Sequence, residues 1–103
     1  MKKSIVILDP FPRTLDLIFS KEKLKLLKSR YQTITAPIKN KKNFYKKNIH
    51  RATFIIGQPD LDKQLLIKTS KLRAIINVES NFMNNVDYEY CFKKGIHVIA
   101  TSP

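Results

Sequence analysis

Five short runs of apolar and β-branched residues divide this chain, and lysine-rich, helix-like segments fall between them. The runs are Ser4 to Leu8, Tyr31 to Ala36, Ala52 to Gly57, Leu72 to Val78 and Ile96 to Ala100. Most are continuous rather than alternating, as in strands buried on both faces of a parallel sheet. Asp9-Pro10 closes the first, Pro37 the second, and Gly57 with Gln58-Pro59-Asp60 the third. Proline and glycine are the punctuation expected where strands stop.

The intervening segments read as helices. From Thr14 to Arg30, Leu15, Ile18, Phe19, Leu24, Leu26 and Leu27 recur at roughly helical spacing. Thr14 is the expected N-cap. Ser20 offers a second start, but Lys23 carries the wrong charge for a capping box, so the pattern predicts one helix with an irregularity. Lys39 to His50 is the most basic and least patterned stretch, with Phe44, Tyr45 and Ile49 as one weak apolar face. Asp60 is the expected cap of a helix over Leu61 to Ser70. Val86 to Lys94 predicts a last helix, ended by Gly95 in the left-handed conformation.

Strands alternating with helices predict a parallel sheet with right-handed crossovers. The natural solution is an α/β fold: a five-stranded, flavodoxin-like, doubly wound sheet of order 2-1-3-4-5. A length of 103 residues allows one such domain. No helix follows the last run, so the sheet is expected to lack its final covering helix. Ligands of such sheets sit outside the carboxyl ends of the strands. Those ends are Asp9-Pro10, Ala36-Pro37, Gly57-Gln58, Val78-Glu79 and Thr101-Ser102.

Composition narrows the function classes. The net charge of +12 invites a nucleic-acid reading. The excess is nearly all lysine, however, and lysine travels here with isoleucine and asparagine, all three encoded by AT-rich codons. Arginine, the usual base reader, is scarce. A solvated basic surface is the better reading. A single cysteine, Cys91, allows no intrachain disulfide, and metal-ligand spacings are missing. A cytoplasmic location fits. The apolar start after Met1-Lys2-Lys3 is too short for a signal peptide, and no stretch is long enough for a membrane span.

Catalytic motifs are equally sparse. The sequence has no GxGxxG, no Walker-type phosphate loop and no nucleophile elbow. A phosphoryl receiver of the same fold would need an aspartate ending the third strand and a lysine after the fifth. The chain has Gly57-Gln58 and Thr101-Ser102-Pro103 there. His50 and His97 have no carboxylate or nucleophile nearby in sequence, Cys91 reads as a small core residue, and Asp9 as a turn and cap acid.

One segment says more. Leu72 to Pro103 resembles the NAD-dependent D-isomer-specific 2-hydroxyacid dehydrogenases. Asn85-Val86-Asp87, Cys91, Gly95-Ile96-His97-Val98 and Pro103 match the substrate-domain pattern of that family in order and spacing. Ala52 to Ile75 and Ser4 to Asp9 are compatible with the units that precede it. The resemblance implies a substrate domain over residues 1–103, from an oxidoreductase acting on the CH–OH group of a D-2-hydroxy acid, or on a 2-keto acid in reverse. It implies that backbone N–H groups of Ser80, Asn81 and Phe82 bind the substrate carboxylate. The family has smaller residues there, and here Glu79 adds a negative charge beside them. NAD would be held by a Rossmann domain, expected to be absent from these residues, so the chain alone is expected to be inactive. A homo-oligomer, or the missing cofactor domain, is the expected partner. Two alternatives stay open: a non-catalytic dimerising or interaction module, and a basic nucleic-acid-binding domain acting through Lys39 to Lys47.

Overall fold

The computed structural model describes residues 3–11, 15–78 and 85–100. Its strands are β1 (Ile5–Asp9), β2 (Gln32–Thr35), β3 (Ala52–Gly57), β4 (Ala74–Asn77) and β5 (His97–Ala100). Its helices are α1 (Leu15–Ile18), α2 (Lys21–Arg30), α3 (Lys41–Asn48), α4 (Lys63–Leu66) and α5 (Tyr88–Lys94). A 3-10 turn, Ile49–Arg51, joins α3 to β3. The sheet is parallel throughout, in the order β2-β1-β3-β4-β5. This is the expected doubly wound arrangement, with β1 and β3 adjacent at its centre.

The core follows from strand register. Ile34, Ile7, Ile55, Ile75 and Val98 are successive partners across the sheet and therefore share one face. The middle three are fully buried, under Tyr45, Ile49, Leu65, Leu66 and Cys91 from the connections that follow β2. The next row has its side chains on the other face. There Leu8 is fully buried, Ile56 and Ile76 are half-buried, and Ile99 is 48% exposed. Cover on that second face thins from the centre towards β5.

Three helix starts differ from the sequence reading. Ser20 breaks the first connection into two helices: its backbone is extended and its side chain accepts the Lys23 N–H at 3.2 Å. One hydroxyl bond is enough to cap a helix without the reciprocal acid of a full box. Asp62, not Asp60, caps α4, accepting from the Leu65 N–H at 3.0 Å. Leu61 is drawn into a parallel bridge with Val86, so the chain is still extended there and cannot start a helix. The same bridge delays α5, which begins after Asp87 accepts the Tyr90 N–H at 3.0 Å. Gly95 ends α5 as expected, at φ 80°, with the Ile96 N–H donating back to the Cys91 carbonyl at 2.9 Å. Thr14 lies outside the described residues.

Candidate active-site edge of the sheet

Strand ends and helix starts meet on one edge, and Asp9 is its most unusual residue. It ends β1 with no exposure to solvent. An ionised carboxylate survives there only if paired. Both partners come from α3: the Tyr45 hydroxyl donates to Oδ2 at 2.5 Å, and Lys41 Nζ lies 2.7 Å from Oδ1. Lys41 and Tyr45 are four residues apart and so share a helix face. A lysine at the first position of a helix opposes the macrodipole, and the Asp9 carboxylate offsets that cost. Lys41 also sits over the Phe11 ring, 5.7 Å from its centroid. Burial, then the Asp9 charge, pushes the Tyr45 hydroxyl far above the ordinary tyrosine range, so it is a fixed neutral donor. Asp9 is thus a strut inside the sheet edge rather than a turn and cap acid.

Gly57 stands beside it. The two residues are partners in the β1–β3 ladder, and the Gln58 N–H donates to the Asp9 carbonyl at 2.7 Å. A Cβ on Gly57 would fall on the Asp9 backbone. The space that a glycine leaves open is therefore filled by the neighbouring strand, not free for a pyrophosphate. Gly95 lies at the far end of α5. The described residues do not form a dinucleotide cradle and do not fit NAD.

A second cluster clamps the β3 and β4 exits together. Asn85 donates to the Pro59 carbonyl at 2.5 Å and to Asn77 Oδ1 at 3.2 Å, and its own Oδ1 accepts from the Tyr88 hydroxyl at 3.3 Å. Main-chain bonds between Leu61 and residues 85 and 87 run beside it. The Val78 N–H is tied to the Gly57 carbonyl at 3.1 Å. These contacts fix both flanks of residues 79–84. The candidate carboxylate-binding residues Ser80, Asn81 and Phe82 lie in that interval, outside the described residues.

The remaining candidates are dispersed. His97 is exposed at the start of β5, on the opposite edge, and His50 is exposed in the 3-10 turn. Cys91 is buried in the core, and burial, helped by Asp87, pushes its thiol up to about 11, so it is no nucleophile at neutral pH. Among the described residues no group of His, Cys, Asp and Glu could hold a metal ion. None of their helices is long and apolar enough to cross a membrane. Sequence reading missed Lys41 and Tyr45. Their spacing was visible, but nothing in the sequence joined them to Asp9.

Two solved structures share this architecture. A phosphoglycerate oxidoreductase from Rhizobium etli is similar with a TM-score of 0.85 and 43% identity, over 96% of this chain and 31% of its own. A 2-hydroxyacid dehydrogenase from Ketogulonicigenium vulgare Y25 is similar with a TM-score of 0.66 and 14% identity, over 95% of this chain and 29% of its own. The second likeness is one of fold alone. No family model and no curated protein matches the chain.

Proposed function

We propose that this chain, which resembles a phosphoglycerate oxidoreductase at 43% identity, is the substrate-binding portion of an enzyme of the D-2-hydroxyacid dehydrogenase family that oxidises D-2-hydroxy acids with NAD. The observation that carries this reading is the 43% identity to a phosphoglycerate oxidoreductase, sustained over 96% of the chain. That name, with the family resemblance of Leu72 to Pro103, points to a small 2-hydroxy or 2-keto acid, phosphorylated or not. The carboxyl edge suits it. Both Asp9 oxygens are engaged, so no buried free carboxylate repels the substrate there. The substrate carboxylate would be taken by main-chain N–H groups at Ser80, Asn81 and Phe82, on a segment whose flanks are clamped by Asn85 and Gly57.

NAD, in this reading, is held by residues outside these 103. When bound there it supplies the hydride acceptor. The residues here bind and orient the acid, and exclude water from it. Backbone NMR of the 103-residue chain, titrated with oxamate and with 3-phosphoglycerate, tests the assignment. Shifts centred on Gly57 to Asp60 and on residues 77–85 are expected, with no reduction of NAD+ when NAD+ and 3-phosphoglycerate are supplied to the chain alone. Shifts confined to the opposite edge, or turnover by the isolated chain, would overturn it.

One observation favours a second reading, a non-catalytic module that pairs with a second copy of itself. Phe92 is 87% exposed, beside an open cleft of about 480 Å3 lined by Tyr88, Phe92, Ile96, His97 and Val98. A monomer at high concentration by light scattering removes that reading; a dimer abolished by Phe92→Lys supports it.

A further inference from the structure

The amino edge of the sheet has its own character. In a parallel α/β sheet every connection returns to this edge, so helix C-termini gather there. Cations in a last helical turn complement the macrodipole. Lys28 lies in the last turn of α2, Arg51 ends the 3-10 turn, and Lys71 follows the turn after α4. Topology brings all three together with Lys3, which precedes β1. They line one open groove of about 850 Å3, with Tyr31 and Thr33.

Complementing helix ends does not account for this group. No carboxylate lines the groove. Among the described residues, none pairs with Lys3, Lys28, Arg51 or Lys71. The Arg51 Nε is buried and makes no hydrogen bond. The β1–β3 ladder also slips here: Ile5 pairs with Ala52 and Val6 with Phe54, leaving Thr53 as an extra residue on the groove wall. Such bulges favour sheet edges and sites, where they re-aim a side chain. Four like charges held around one concavity repel each other until an anion enters.

We propose that this groove binds a polyphosphate chain carried by a small molecule of nucleotide size. The volume lies within the usual range of small-molecule pockets, about 300–1,000 Å3. Lysines act as point charges for phosphate, and Arg51 adds one guanidinium to the lining. A nucleic-acid surface would want several forked arginines to read bases or a longer track, and the groove has neither.

Calorimetry on the 103-residue chain with inorganic tripolyphosphate, ATP and a short oligouridylate tests this. Saturable binding of tripolyphosphate or ATP is expected, weakening about tenfold or more between about 50 and about 200 mM KCl. Equal affinity for the two assigns the phosphate chain as the whole determinant. Tighter ATP adds a nucleoside contact near Tyr31. The double variant Lys28→Glu/Lys71→Glu, at exposed positions, should lose at least about tenfold in affinity. Lys39→Glu/Lys42→Glu makes the same charge change on the opposite edge and should lose less than about threefold. Far-ultraviolet circular dichroism and thermal melting establish that each variant is folded. Equal loss in both variants, no saturable binding by either phosphate probe, or oligouridylate binding more than about tenfold tighter than ATP overturns the proposal.

Discussion

Replacing Gly57 with alanine tests whether the two central strands must touch where the carboxyl edge begins. Gly57 has φ 139°, a conformation that residues with a Cβ rarely adopt. The new Cβ would stand 1.9 Å from the Asp9 carbonyl oxygen and 2.4 Å from its carbon, where real contacts stay above 3.0 Å. Both atoms are backbone of β1, so no side chain can swing aside; the strands must part. Parting breaks the bond from the Gln58 N–H to the Asp9 carbonyl and shifts the carboxylate that Lys41 and Tyr45 hold. A left-handed residue costs about 1–2 kcal/mol, and a buried polar group left unsatisfied about 1–3 more. With the lost bond itself, about 3–6 kcal/mol is expected, much of the roughly 5–15 kcal/mol that holds such a domain together. Gly95→Ala is the comparison, because φ is 80° but nothing lies within 4 Å of its added Cβ. It should cost only the conformational part, about 1–2 kcal/mol. Urea unfolding followed by circular dichroism compares the two. If Gly57→Ala costs no more than Gly95→Ala, the close approach is not what requires glycine.

Two further perturbations address buried groups. Tyr45→Phe removes one hydrogen bond to a charged oxygen and should cost about 1.5–3 kcal/mol, whereas Lys41→Met leaves Asp9 a buried charge with one donor and should cost nearer 3–5 kcal/mol; equal urea midpoints for these two variants would refute the ion pair. Cys91 carries a thiol raised from 9.0 to about 11, so the unfolded chain ionises first: its contribution is complete below about pH 9 and is lost as pH climbs towards 11. The urea midpoint should fall across that window, and by less in Cys91→Ala; a midpoint that rises there contradicts the assignment.

Strand content was legible because each strand carries its own signal. Ala52–Gly57 matched its expected bounds, since a continuous apolar run ending in glycine specifies both burial and a stop. Gly95 was legible for the same reason: a left-handed helix terminator is a local requirement. Helix starts were less so. Asp60 and Asp62 are equal candidates by residue type, and the choice was made by a bridge from Leu61 to Val86, far away in sequence. Ser20 is a cap by residue type, and Lys23, which lacks the carboxylate of a full box, hides it only because the cap needs the Lys23 backbone N–H and not its side chain.

The site was legible in a different degree on each side of the sheet, and topology explains why. The amino-edge cations belong to helix ends and strand starts, so each could be placed from its own neighbours in sequence, though their convergence required the sheet order. The Asp9 cluster has no local signature at all, because an acid at one strand end and two residues of a later helix meet only when β1 lies next to β2. Once they meet, the chemistry of the carboxyl edge is narrowed. A carboxylate whose oxygens are committed to Tyr45 and Lys41 is poorly placed to take a proton from a substrate. Under the proposed function, recognition of the acid on that edge falls to main-chain donors rather than to Asp9.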